Sequence, residues 1–171
     1  MADPHAELSE PLLSIGTLAE KTGVSVSSIR NYEVEGLLIP HRMPSGHRLF
    51  SREDIARVKT IQHMIKDQGM NMEGIRRLQA LLPCWDLVRC SKTKRSSCAA
   101  KTDTAKPCWM IRGGNCSPKG NECRSCVVYR LGSRRTNDIK RLISDRSRAE
   151  DLYITAKSIL EEEETPPPGA I

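Results

Sequence analysis

The chain has 171 residues, of which 28% are charged and only 4% aromatic, and its formal net charge is +6. That length suits one or two small domains, and so few aromatics exclude a large hydrophobic core, so a metal or a partner chain is expected to help. No apolar stretch approaches the roughly 20 residues of a membrane helix, and residues 1–12 lack the basic start and apolar run of a signal peptide, so a soluble cytoplasmic protein with a disordered leader is expected.

The predicted elements begin after that leader. Ile15, Leu18 and Ala19 share one helix face, and Gly23 is placed to end the helix. Ser25 is the expected N-cap of a second helix, with Val26, Ile29 and Val34 as its apolar positions and Gly36 as its stop. Two short helices joined by a glycine-containing turn make a helix-turn-helix. In IPHRMPSGHRLF, Pro44-Ser45-Gly46 reads as a turn between two extended arms, a small wing. Ser51 then caps a third helix, with Asp54 completing a capping box and Ile55, Val58, Ile61, Met64 and Ile65 forming its stripe up to Gly69. A short helix, MEGIRRLQALL, runs to Pro83.

This order, helix, turn, helix, hairpin, helix, predicts that the second helix enters the major groove of double-stranded DNA. Ser25, Ser27, Ser28, Arg30 and Asn31 are its polar candidates for base edges or phosphates, and Arg42, His47 and Arg48 are the wing's candidates for the DNA backbone. The segment from Ser14 to Leu78 also resembles the N-terminal domain of MerR-type regulators. The motifs that carry the likeness are IRNYE-x-x-GLL, the SGHRLF wing and S-x-x-D-I, in family order within residues 13–82. The resemblance implies DNA contacts from Arg30 and Tyr32, a wing role for Arg48, and binding between promoter elements where RNA polymerase is the partner. The chain departs from the family in having Asn31 before Tyr32 where a tyrosine pair is usual, and His47 where a tyrosine is usual.

Residues 84–134 contain all seven cysteines, both tryptophans and few periodic apolar positions, and are not expected to build an ordinary core. Seven thiols in a reducing compartment point to metal or redox chemistry rather than disulfides. Cys84, Cys90, Cys98, Cys108, Cys116, Cys123 and Cys126 are the candidate ligands, and only Cys123 and Cys126 have chelate spacing. A zinc ribbon normally has two such pairs. Long, uneven gaps suit an iron–sulfur cluster, 4Fe–4S ahead of 2Fe–2S, with zinc or a thiol switch as alternatives. Cys84-Trp85 and Cys108-Trp109, with the cysteines that follow, also resemble the two-CW module appended to bacterial signalling proteins. The net charge is zero over residues 1–83, +9 over 84–136 and −3 over 137–171. The basic middle segment could serve solubility, offset ligating thiolates or touch phosphates.

Over residues 135–163, Ile139, Leu142, Ala149, Tyr153, Ala156 and Leu160 recur at coiled-coil spacing. A helix of this kind, roughly 40 Å long, is expected to pair two subunits into a homodimer on a pseudo-palindromic site. Residues 164–171 read as a disordered tail. The expected fold is therefore mainly α: a winged helix-turn-helix at 13–83, a cysteine-rich metal or sensor module at 84–134, and a dimerisation helix at 135–163. Neither a nucleotide loop nor a catalytic constellation is readable, so the expectation is a redox-sensing regulator or a DNA binder with a structural cysteine module, not an enzyme.

Overall fold

The computed structural model describes residues 10–88, 93, 96–111, 120–134, 138–141 and 158. Cys90, Cys116, Leu142, Ala149, Tyr153, Ala156 and Leu160, named above, lie outside the described residues, as do residues 164–171.

The chain enters through a strand that the sequence reading did not anticipate. β1 (Leu13–Ser14) pairs antiparallel with the second arm of the wing, Leu13 opposite Phe50. Ser14 then caps α1 (Ile15–Thr22), accepting a hydrogen bond from Thr17 N at 3.1 Å. Gly23 ends α1 in the left-handed conformation, φ +68°, which a side chain would strain. Ser25 caps α2 (Val26–Val34) by accepting from Ser28 N at 3.1 Å. The wing is β2 (His41–Arg42) and β3 (Arg48–Phe50), closed by a turn in which Gly46 has φ +82°. The sheet order is β1-β3-β2.

Ser51 and Asp54 form the expected capping box at the start of α3 (Arg52–Lys66). Asp54 Oδ2 accepts from Ser51 N at 2.7 Å, and Ser51 Oγ accepts from Asp54 N at 3.3 Å. Caps of this kind are worth about 1 kcal/mol each. Asn71 caps α4 (Met72–Ala80). Leu18, Ile29, Tyr32, Leu37, Leu38, Phe50, Val58, Ile61, Met64 and Ile75 form one buried core. Each such side chain contributes roughly 1.5–3 kcal/mol through burial.

The second helix differs from expectation at two positions. Val34 is 77% exposed, and Tyr32 occupies the core instead. At 100° per residue, Val34 sits about 140° around the helix from Ile29, whereas Tyr32 sits within about 60° of it.

The cysteine-rich segment does build a small core, contrary to expectation. Leu82, Cys84, Leu87, Ala100, Val128, Leu131 and Ile139 are buried together, and Leu78 of α4 packs against both this cluster and the first. Its elements are short: α5 (Cys84–Leu87), 3₁₀ turns at Ala99–Lys101, Cys108–Met110 and Gly120–Ser125, and α6 (Val127–Leu131). Ile139, read above as the first seam position of the dimerisation helix, is 3% exposed within this core of its own chain. Among the described residues, no helix is long and apolar enough to cross a membrane.

Candidate DNA interface and cysteine centre

Helix α2 presents a polar face to solvent. Ser25, Ser27, Arg30 and Asn31 are exposed, and Ser28 is half-buried. Ser25 Oγ lies 2.8 Å from Ser27 Oγ and 2.9 Å from Ser28 Oγ, so the three hydroxyls form one cluster at the helix start. Tyr32, implied as a DNA contact, faces inward, and burial pushes its hydroxyl pKa up. Val34 takes a place on the solvent side beside Arg30, and the two line a common groove.

The wing places Arg42, His47 and Arg48 in solvent, as expected. Two of the three are held by a residue that the sequence reading did not single out. Glu33 of α2 accepts from Arg42 Nη2 at 2.6 Å and from Arg48 Nε at 2.8 Å. The carboxylate thus orients both guanidiniums beside the recognition helix. The groove between α2 and the wing is about 580 Å³ and is lined by Arg30, Arg42, Arg48, Val34, Trp109 and Met110, among others. Its far wall therefore comes from the cysteine module.

That module is docked on the helix-turn-helix domain through buried polar contacts. Arg57 of α3 is 2% exposed. Its Nη1 donates to Leu37 O at 3.0 Å, and its Nη2 donates to Tyr129 O. The guanidinium carbon lies 3.5 Å from the centre of the Tyr129 ring and 5.9 Å from that of Trp109. The two rings meet edge to face at 5.2 Å. Such cation–π contacts are strongest when desolvated. Burial draws the Arg57 pKa down, while Tyr129, Asp54 and Glu53 favour its charged form.

Around this centre run ion pairs that cross between the two regions. Arg124 reaches Asp54 at 2.8 Å, and Arg130 reaches Glu53 at 2.8 Å. Arg76 of α4, paired at 2.5 Å with Glu35 inside the first region, crosses to the module by donating to Ala105 O at 3.3 Å. Part of the basic charge of residues 84–136 thus pairs with acids of the helix-turn-helix domain. Asp54 carries two duties, cap and ion pair. Burial raises its pKa, and Arg124, Ser51 and Arg57 oppose that rise.

The cysteines divide. Cys84, Cys108, Cys123 and Cys126 line one small apolar cavity together with Val88, Trp109, Val128 and Tyr129. Cys98 packs against the module's core but not on this cavity. None of the five described cysteines is in a disulfide. A hydrogen bond from Cys108 draws the Cys84 thiol's pKa down against the effect of burial. Burial pushes the Cys126 thiol up. Cys126 follows the last 3₁₀ turn and stands at the N-cap position of α6, so the chelate pair leads directly to Tyr129.

Among the described residues, no three His, Cys, Asp or Glu side chains converge as one metal ion requires. A zinc ion, with Zn–S about 2.3 Å, would need such convergence. Four thiols spread around a shared cavity match the donor set of a cluster. The cavity is about 30 Å³, room for about one or two waters. A cluster would therefore press its walls apart.

The sequence reading missed Arg57, Glu33 and the pairing of Asp54 with Arg124. One signal was available for Arg57: it shares the buried stripe Asp54, Val58 and Ile61 at helical spacing. A charge on a core-facing stripe needs a partner.

Helix, turn, helix, hairpin and helix make a winged helix-turn-helix, with the polar face of α2 exposed beside the wing. Residues 13–82 match the family model described as MerR HTH family regulatory protein. It is 39% identical over 70 residues to the HTH-type transcriptional regulator GlnR of Bacillus anthracis, covering 41% of this chain and 54% of that protein. It is 35% identical over 65 residues to the HTH-type transcriptional regulator TnrA of Bacillus subtilis, covering 38% and 59%. The nodulation protein NolA of Bradyrhizobium elkanii is 38% identical over 77 residues, covering 44% and 35%. The chain spans 35–59% of the length of these relatives.

Proposed function

We propose that this protein is a transcriptional regulator that binds promoter DNA as a homodimer and senses redox state, or a small reactive molecule, through an iron–sulfur cluster. The DNA-binding part rests on the exposed Ser27, Arg30 and Asn31 of α2 beside the wing arginines. Relatives named as transcriptional regulators share this domain. Arg30 and Asn31 would read base edges or phosphates, and Arg42, His47 and Arg48 would grip the backbone. RNA polymerase is the expected partner at the promoter.

The observation that carries the sensing part is the meeting of Cys84, Cys108, Cys123 and Cys126 around one cavity, although they come from three separate stretches of chain. Four thiolates would hold a 4Fe–4S cluster, whose bound form supplies a one-electron change and a site for reactive molecules. The apolar walls would keep water from it.

Anaerobic purification followed by iron and acid-labile sulfide analysis tests this reading. About four of each per chain, lost in a Cys84→Ala or Cys108→Ala variant, is the expected result. Stoichiometric zinc without sulfide, or no metal at all, would sink it. Electrophoretic binding to promoter fragments, with loss in Arg30→Ala, tests the DNA-binding part separately.

A further inference from the structure

The cysteine cavity has two aromatic walls, Trp109 and Tyr129. Each reaches out of the module to the same piece of main chain, residues 36–40, which joins α2 to the wing. Trp109 Nε1 donates to Gly36 O at 2.8 Å. Ile39 N donates to the Tyr129 hydroxyl at 2.8 Å. Between these ties, Leu37 O accepts from Arg57, which is itself clasped by the Tyr129 carbonyl and ring. Three successive points on the connector are thus fixed by the cavity walls or by the cation between them.

We infer that Trp109 and Tyr129 are positioning residues that carry the filling of the cysteine cavity to the wing, so that loading the centre resets the angle between recognition helix and wing. This inference rests on the proposed cluster reading.

The packing leaves the walls little room to yield elsewhere. Gly36 has φ +71°, and a Cβ there would run into the side chain of Met110. A Cβ on Gly132 would sit 2.9 Å from Trp109 Cη2. The Trp109-Met110 pair is therefore wedged between Gly36 on one side and Gly132 on the other. A close-packed wall that is pushed moves what it is packed against. Here that is the connector, and Pro40 passes the movement straight into β2. The wing's grip on DNA then changes through Arg42 and Arg48, which already lean on Glu33 of α2. Small displacements at an effector site are amplified in this way where packed elements have two arrangements.

The test compares protein reconstituted anaerobically with iron and sulfide against the same protein stripped by chelation. The DNA probe is a duplex selected from random sequence by the stripped wild type. Wild-type affinity is expected to differ by about tenfold between the two forms, and amide exchange at Ile39 to differ as well. In Tyr129→Phe and Trp109→Phe, iron and sulfide content is measured first. The ratio of the two affinities is then expected to fall towards one. Equal Ile39 exchange in loaded and stripped wild type overturns the relay. So does an undiminished affinity ratio in both variants when they carry wild-type iron. Failure of the wild type to take up iron and sulfide overturns the cluster reading itself, and the relay with it.

Discussion

Residues 13–82 and the cysteine module reach order by different routes. The first region caps its helices locally, with Ser14, Ser25, Ser51 and Asn71, and buries a contiguous set of aliphatic side chains plus Phe50 and Tyr32. The second has short turns, a smaller apolar cluster and a cavity ringed by thiols. Beside the apolar packing of Leu78 and Leu82, much of what holds it in place is polar and comes from the first region: Arg57, Asp54, Glu53, Arg76 and Gln79. Gln79 Nε2 donates to Gly132 O at 2.6 Å. A module that leans on its neighbour this heavily is placed to transmit strain to it, as the proposed sensing role requires.

The sharpest way to break the contrast is to remove Arg57. If the module depends on the helix-turn-helix domain for its place, Arg57→Ala should disorder both at the junction. It strips a fully buried cation from two carbonyls and two rings and leaves them unpaired. A loss of about 3–5 kcal/mol is expected, read from the urea midpoint. A loss below about 1 kcal/mol would mean that the module stands alone.

Next in size is Arg124→Met, which leaves Asp54 buried without its main partner. A loss of about 2–5 kcal/mol at neutral pH is expected. The pH dependence has a definite sign. Asp54 has a folded pKa above its usual 3.8, so it favours folding most below that usual value, and that contribution is lost as pH rises through the raised pKa. Without Arg124 the folded pKa rises further, so the loss should extend to higher pH than in the wild type. Adding Asp54→Asn to Arg124→Met should flatten the curve. Parallel curves for wild type and Arg124→Met would show that the pair does not set the ionisation of Asp54.

The same contrast explains what could be read from the sequence. Helix stops at Gly23, Gly36 and Gly69, the wing turn and the Ser51–Asp54 box are all decided within a few residues, and all were legible. The Tyr32–Val34 exchange was legible in principle, since helical angles alone place Val34 outside the stripe. The module was not legible, because its contacts are remote. Arg57 and Tyr129 are 72 residues apart, and Trp109 and Gly36 are 73 apart. The grouping of Cys84 and Cys108 with the Cys123–Cys126 pair is likewise long-range, so spacing alone could not single out these four among the five described cysteines.

On the DNA side, Arg30→Ala should cost about 1–3 kcal/mol in affinity if it reads a base, with relaxed preference at one position. If it touches phosphate only, binding should weaken evenly across sequences and the salt slope should fall by about 1. Thermal stability should be unchanged, because Arg30 is exposed. A lowered melting temperature would assign it to the fold instead.

The smallest effect concerns Glu33, and its sign is the informative part. Arg42 and Arg48 are 57% and 39% exposed, so each pair with Glu33 is a surface ion pair worth about 0–1 kcal/mol. Glu33→Gln should therefore barely move the urea midpoint. Phosphates must compete with Glu33 for the two guanidiniums, and the carboxylate also adds a negative charge beside the duplex. Its removal frees both arginines and should tighten DNA binding a few-fold, with a steeper dependence of log affinity on log salt. If positioning matters more than competition, the arginines lose their orientation and affinity falls with no change in salt slope. Titrations of wild type and Glu33→Gln at three salt concentrations separate the two. The first outcome makes Glu33 a restraint on the wing that DNA has to displace, and the second makes it a part of the grip.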